Sequence, residues 1–349
     1  MTEGIDRSTQ LKLKSDRAHG IKGTSYGLIS GFSYGVNGLI LTLAFTYCTP
    51  LSIAESFLAA NFIAPLITLI FNDAFCALWA TGYNVIFGRR KELVRALRTR
   101  PGKILFIAAI IGGPIAQGGY YIGLSTAGLA YTAGISALFV VVGPILARIF
   151  LRQVIGKRVY LGIFICVAGS IIMCYVAPDG IDSSLFYLGI LCAFMAAVGW
   201  GAEGVIASFG TSVIDPGIAV TIRWISSSTL SALIFIPALT IIAVSGDFSG
   251  ASMFADIISN PVTLGVLAVA GLAGAGCGIG WYTAGNMVGA GKGCALNSTY
   301  VAWGILLAIV FLGQAITAQV VVGGALVLAG AILVSWNPGE LFRKGDKIV

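Results

Sequence analysis

Histidine is all but missing from this chain: of 349 residues only His19 is one, and it sits in a polar N-terminal tail. A histidine-based metal site, a nucleophilic triad and an imidazole proton relay are therefore excluded from the apolar body, and no cofactor is expected. Charge is scarce as well. Only 10% of residues are Asp, Glu, Lys or Arg, against 57% hydrophobic, and the mean hydropathy is +0.94. That composition excludes a soluble domain and a disordered chain. The first 23 residues are polar and charged, so no cleavable signal peptide is expected there.

What remains is a polytopic membrane protein. A bilayer core about 30 Å thick takes roughly 20 apolar residues per helix. Ten segments meet that length: 24–47, 58–87, 103–125, 129–151, 157–177, 185–209, 217–245, 262–287, 291–313 and 316–336. They are long and continuously apolar, which favours helices over the weak alternation of barrel strands. Cysteines 48, 76, 166, 174, 192, 277 and 294 all lie in or beside these runs, a distribution that fits buried, reduced thiols rather than a disulfide framework.

The net charge of +7 reads as topology rather than as affinity for nucleic acid. Arg7, Lys12, Lys14, Arg17 and Lys22 lie in the tail, RRKELVRALRTRPGK (89–103) joins spans two and three, and Arg152, Lys157 and Arg158 follow span four. Lys292 follows span eight, and Arg343, Lys344 and Lys347 close the chain, whereas the odd-numbered connections hold no Lys or Arg. Both termini (1–23 and 337–349) are expected in the cytoplasm, with a bacterial inner membrane as the setting. The run 89–103 reads as a solvated loop able to touch anionic lipid headgroups.

The halves of the chain match each other. A shift of 166 lays YGVNG (34–38) on WGAEG (200–204) and Pro50 on Pro216. A shift of 161 lays GGYYIG (118–123) on IGWYTA (279–284), FLRQ (150–153) on FLGQ (311–314), Gly162 on Gly323 and Gly169 on Gly330. Repeats of five spans each enter the membrane from opposite sides, so 24–177 and 185–336 read as inverted five-helix repeats. Secondary transporters built this way place their substrate near the midplane between the halves.

On these elements the chain resembles the drug/metabolite transporter superfamily, EamA-like, across residues 24–336. The shared features are the aromatic-Gly pairs Tyr34-Gly35 and Trp200-Gly201, Pro144 late in span four, Arg223 early in span seven, and glycine-rich fifth spans. The resemblance implies a ten-helix bundle that moves small solutes by alternating access. Two departures stand out. Gln153 and Gln314 occupy the places where the family usually carries an acid after each fourth span, and Ile305 stands where span nine would repeat Pro144.

Motifs for enzyme chemistry are weak. GAGKG (289–293) lacks the Ser/Thr and the first-glycine spacing of a phosphate loop, and the sequon at Asn297 falls inside span nine. The glycine run AGAGCGIG (273–280) reads first as close helix packing, and Gly112-Gly113-Pro114 in span three as its counterpart should either helix be broken. Pro65 and Pro237 are candidate kinks in spans two and seven.

Ionisable groups inside the spans are few: Asp73, Glu203 and Arg223, with Glu55 near an outer entrance. Such groups default to functional hypotheses, and these three are the coupling or gating candidates. Arg223 also fits a structural role at a headgroup or helix end. At about 1.5 Å per residue, Glu203 lies about 9 Å from the midpoint of its span, and its repeat mate is Asn37. Aromatics recur around it: Tyr34 and Trp200, Tyr120-Tyr121 and Trp281-Tyr282, and Trp303 on span nine. Substrate-binding candidates are therefore Tyr34, Asn37, Tyr121, Trp200, Glu203, Trp281, Tyr282, Asn297 and Trp303. Asn286 and Ser136 are further sources of neutral hydrogen bonds.

An aromatic box beside a carboxylate suits a small organic or quaternary ammonium cation, whose attraction to a ring face grows as water is removed. A carboxylate that holds a proton or the substrate by turns would give proton-coupled exchange; Glu203 paired to Arg223 would leave a uniport. Export of amino acids or related neutral metabolites is the rival reading, and a non-transporting scaffold or receptor the distant one. The expected partners are a small-molecule substrate and membrane lipids, with monomer and homodimer both open. Topology is checked by reporter fusions: alkaline phosphatase inserted at 179–182 should be active, and the same enzyme at either terminus inactive.

Overall fold

The computed structural model describes residues 7–53, 58–150, 156–175, 182–211, 213–244, 249–314 and 317–335. Glu55, Gln153 and the tail 337–349 lie outside them. Among the described residues all regular structure is helical. Nine helices among the described residues are long and apolar enough to cross a membrane: Ala18–Tyr47, Ala59–Ile86, Arg100–Thr126, Leu129–Leu146, Lys157–Cys174, Ser183–Ala207, Pro216–Ile241, Pro261–Val288 and Lys292–Leu312. A tenth apolar helix, Ala318–Val334, is shorter. These match the ten expected spans, numbered below in chain order, to within a few residues at most ends.

The connections hold more structure than their charge pattern indicated. Helix Arg7–Tyr47 carries the polar tail straight into span one. Helix Arg90–Leu97 occupies the basic connection and buries Leu93 and Ala96 while its charges face out, so that stretch is an amphipathic helix rather than an irregular loop. Another short helix, Ser249–Ser259, precedes span eight. Asn260 caps span eight by accepting from the backbone N–H groups of Val262 and Thr263, which satisfies two of the orphan donors at a helix start.

Polarity is distributed as lipid solvation requires. Phe164, Ile171, Leu191 and Leu233 are all more than half exposed, while Thr68, Asn72, Asp73, Asn84, Glu203, Arg223, Ser226 and Ser227 are all buried. In hydrocarbon a polar side chain is stabilised by a partner on its own or a neighbouring helix. Asn84, for example, ties span two to span seven by donating to the Gly217 carbonyl at 3.0 Å and to Thr221 Oγ1 at 2.8 Å.

Span one packs on spans eight and nine, and span six on spans three and four; two pairs with seven, and five with ten. Exchanging the halves turns this set of pairs into itself. The same exchange relates two helix interruptions. Span four is split into Leu129–Ser136 and Phe139–Phe150, and span nine into Ala290–Asn297 and Tyr300–Leu312. Each first piece starts after a left-handed glycine, Gly128 with φ 85° and Gly289 with φ 92°, a conformation that costs other residues a Cβ clash.

The interruptions therefore fall in spans four and nine rather than in the glycine runs of spans three and eight. Span eight is one continuous helix, and its glycines serve packing: a Cβ on Gly274 would meet Cys76 Sγ at 2.6 Å, and one on Gly280 the Tyr26 carbonyl at 2.8 Å. Span three is continuous but carries a π-helical stretch, Ile111–Gln117, around Pro114. The proline lacks the N–H of a regular ladder, and the wider turn absorbs the misfit. Pro237 sits inside an unbroken helix, and Pro65 lies in the first turn of helix Ala64–Ile86.

Spans five and ten cross at two glycine pairs. A Cβ on Gly169 would lie 2.7 Å from the Gly323 carbonyl oxygen, and one on Gly162 2.8 Å from that of Gly330. Only hydrogen at these positions lets the backbones approach so closely. Gly169→Ala and Gly330→Ala should each lower stability by about 1–3 kcal/mol, the usual cost of overpacking. Gly265→Ala, where a Cβ has open space, should not destabilise; equilibrium unfolding in mixed micelles compares the three.

Candidate functional site

The charged centre is built where spans three, six and seven meet. Glu203 on span six is fully buried, and its Oε1 accepts from Arg223 Nε of span seven at 2.8 Å. Arg223 Nη2 donates to Glu203 Oε2 at 3.4 Å and to the Gly112 carbonyl of span three at 3.0 Å. The same carbonyl accepts from Trp200 Nε1 at 3.2 Å. A Cβ on Gly112 would coincide with the Glu203 carboxylate, and one on Gly113 would meet Ser227. The Gly112-Gly113 pair is thus what lets a charged side chain from span six and a serine from span seven reach the backbone of span three.

Asp73 of span two is also fully buried. Its Oδ2 accepts from Ser227 of span seven, and its Oδ1 has no hydrogen-bond partner among the described residues. Asn37, the repeat mate of Glu203, donates to Asn72 Oδ1 at 3.2 Å and to the Ala270 carbonyl of span eight at 2.8 Å. The two mates therefore do corresponding work: Asn37 ties span one to span eight directly, and Glu203 ties span six to span three through Arg223.

Beside this centre lies a cavity of about 50 Å³, room for a few waters. Tyr34, Trp200, Trp281, Tyr282 and Asn297, expected from the sequence, form part of its wall, as does Arg223. The rings form a chain of contacts: Tyr300 to Tyr34 at 5.0 Å, Tyr34 to Trp200 at 5.7 Å, Trp200 to Phe139 at 6.4 Å and Phe139 to Trp281 at 5.8 Å, each near perpendicular. Such edge-to-face packing is the favoured aromatic geometry.

The other expected site residues lie elsewhere in this conformation. Asn37 and Glu203 are behind the wall, held by the bonds just described. Tyr121 is buried in helix packing, and Trp303 packs its ring on Phe32 at 5.0 Å, on the side of span nine facing span one. Asp73 is bonded to span seven. Asn286 is exposed at the end of span eight, and Ser136 is bonded to Tyr300 Oη at 2.8 Å. Asn297 remains in the wall, with Nδ2 donating to Ser30 Oγ.

Wall residues that the sequence reading missed are Gln117, Phe139, Val220, Trp224, Cys277, Gly278 and Tyr300. A signal existed for several. Phe139 and Tyr300 are related by the 161-residue shift, as are Gln117 and Gly278. Val220 and Trp224 flank Arg223 on span seven at i−3 and i+1, and a buried arginine marks its helix neighbours as candidates.

A family model described as the EamA-like transporter family matches residues 187–336, which is spans six to ten. Protein LicB of Haemophilus influenzae (strain ATCC 51907 / DSM 11121 / KW20 / Rd) is 24% identical over 323 residues, covering 92% of this chain and 99% of that protein. A solved crystal structure is similar over 91% of this chain and 99% of its own, with a TM-score of 0.56 and 16% identity; that likeness concerns the fold alone.

Breaking a buried ion pair on one side strands the other charge, at a cost of about 3–5 kcal/mol. Glu203→Gln and Arg223→Gln should each show a loss of that order in micelle unfolding. The double variant should lose clearly less than the sum, and a double-mutant cycle reads the coupling.

Proposed function

We propose that this chain is a membrane transporter of the drug/metabolite type, a reading supported by the match of residues 187–336 to the EamA-like transporter family, and that it moves a small organic ammonium cation by alternating access. The observation that carries the substrate reading is the chain of ring contacts from Tyr300 through Tyr34, Trp200 and Phe139 to Trp281 along the cavity wall. Aromatic rings in a dry setting attract a cation by about 2 kcal/mol or more each, and they do so without the desolvation cost of a free carboxylate.

The cavity is far smaller than the roughly 300–1,000 Å³ of drug-sized pockets, so the reading includes rigid movement of the five-helix halves to admit and release the solute. Span exchange symmetry in the helix pairing supports that movement, since two equivalent sets of contacts can be broken by turns.

Proton exchange, where coupled, is assigned to Asp73 rather than to Glu203. Glu203 is held by two contacts to Arg223, whereas Asp73 keeps one oxygen unpartnered. The rival reading, export of amino acids, draws support from Arg223 in the cavity wall.

Purified protein in proteoliposomes should take up choline-like cations, and Trp200→Ala, which interrupts the chain of ring contacts, should reduce uptake efficiency about tenfold or more. A pH gradient should drive uptake in the parent and not in Asp73→Asn. Amino-acid flux without cation flux would reverse the substrate ranking, and absence of flux with both classes would remove the transport reading.

A further inference from the structure

Four buried donors of the cavity wall lack a hydrogen-bond partner among the described residues, Tyr34 Oη, Gln117 Nε2, Arg223 Nη1 and Trp224 Nε1, and the last two stand on adjacent residues. Arg223 Nη1 and Trp224 Nε1 are buried without a hydrogen-bond partner among the described residues, and both side chains are about 95% buried, at 5% exposure each. Buried donors are nearly always paired, so two neighbouring exceptions in one wall need a reason. Trp224 Nε1 faces Gly278 of span eight, another wall residue: a Cβ there would lie 2.8 Å from that nitrogen. It would also lie 2.7 Å from Val220 Cγ2, so glycine is the residue that fits beside this N–H. The guanidinium is also spoken for on its other edge. Nε and Nη2 hold Glu203 and the Gly112 carbonyl, and its Cζ lies 4.1 Å from the centre of the Trp224 ring. Its position is fixed from three sides, and Nη1 is the donor left over.

An acceptor in this corner would meet a cationic N–H and an indole N–H at once, the pattern that suits a carboxylate. A bare ammonium ion, which has no acceptor, offers neither donor anything. Building on the ammonium reading above, we propose that Arg223 Nη1 and Trp224 Nε1 form an acceptor subsite opposite Gly278, and that the transported solute is a zwitterion with a carboxylate seated there and its ammonium group against the aromatic rings. The two ends of such a solute separate the two halves of the wall: span seven takes the anion, and Tyr34, Trp200 and Tyr300 take the cation. This also merges the two substrate readings, because an amino acid and a betaine share both groups.

The test is uptake of radiolabelled trimethylglycine, choline and tetramethylammonium by the full chain in proteoliposomes. These probes share the methylated ammonium and carry a carboxylate, a hydroxyl and no oxygen respectively. The parent should prefer trimethylglycine to both others. Trp224→Phe, which keeps an aromatic ring and removes the N–H, should lower the ratio of trimethylglycine to tetramethylammonium uptake efficiency about tenfold, as for loss of a hydrogen bond to a charged group. Gly278→Ala, whose methyl would press on both Trp224 Nε1 and Val220 Cγ2, should lower the same ratio. Tetramethylammonium uptake also reports whether each variant is folded. Equal loss for all three probes in both variants, or a parent that takes choline or tetramethylammonium as well as trimethylglycine, would overturn the subsite while leaving ammonium transport standing. No flux of any probe would overturn the ammonium reading itself, and the subsite with it.

Discussion

Arg223 is the residue on which the centre of this bundle depends. A guanidinium in hydrocarbon is tolerable only with its charge matched and its N–H groups bonded, and spans six and three supply those partners as the Glu203 carboxylate and the Gly112 carbonyl. Each contact presses three helices together at one level. That closeness in turn forbids side chains at positions 112 and 113, and the π-helical stretch around Pro114 lies in the same segment. The indole of Trp200 bonds the same carbonyl, so the ring that starts the aromatic wall is oriented by the ion pair's own acceptor. Charge pairing, helix approach and cavity shape are one arrangement.

The repeat explains why the cavity has the walls it has, and also where it departs from symmetry. Tyr34 and Trp200 are mates, as are Phe139 and Tyr300, and both pairs reach the cavity. The second pair gets there because spans four and nine are interrupted just before it, at Ala137 and Ser298, after short helices that begin on left-handed glycines. The other elements differ between halves. Trp281 and Tyr282 line the space while their mates Tyr120 and Tyr121 are packed away, and the Glu203–Arg223 pair faces a plain amide, Asn37, across the pseudo-symmetry. All unmatched donors of the acceptor corner belong to the second half.

The span order and the approximate span ends were legible because they rest on a property that adds up along the chain, apolar run length. Helices Arg90–Leu97 and Ser249–Ser259 were not, because a connection judged by its charge alone hides a short amphipathic pattern. Glu203 and Arg223 were each visible as ionisable groups inside spans, and their pairing stood as one of two readings; choosing between the two needed the way spans six and seven cross, which no local pattern encodes. The interruptions were sought at glycine and proline clusters, whereas they occur at Ala137 and Ser298, residues with no breaking chemistry of their own. There the tertiary contacts decide: Ser136 bonds Tyr300 across the gap between spans four and nine, and Asn297 bonds Ser30 of span one.

The ends of the bundle are fastened by contacts that the exchange of halves also relates, and their strength bears on movement. Between the connection of spans one and two and the start of span eight, Asn260 donates to the Thr49 carbonyl at 3.1 Å, and Thr263 Oγ1 donates to the same carbonyl. At the corresponding place in the other half, Arg89 Nη1 meets Asp215 Oδ1 at 2.8 Å, with both side chains about a third exposed. Neutral hydrogen bonds contribute about 1 kcal/mol each, and an exposed ion pair about 0.2–1 kcal/mol. Each latch is therefore worth no more than about 2–3 kcal/mol. Reversing a two-state equilibrium from 1:99 to 99:1 takes about 5.5 kcal/mol of differential binding, which is within reach of a small solute held by several rings and a charged donor. Latches much stronger than these would hold one end shut whatever was bound. The glycine crossing of spans five and ten, by contrast, is a backbone contact with no latch-like polarity, so under the proposed alternating access it is the contact that stays packed while the ends exchange.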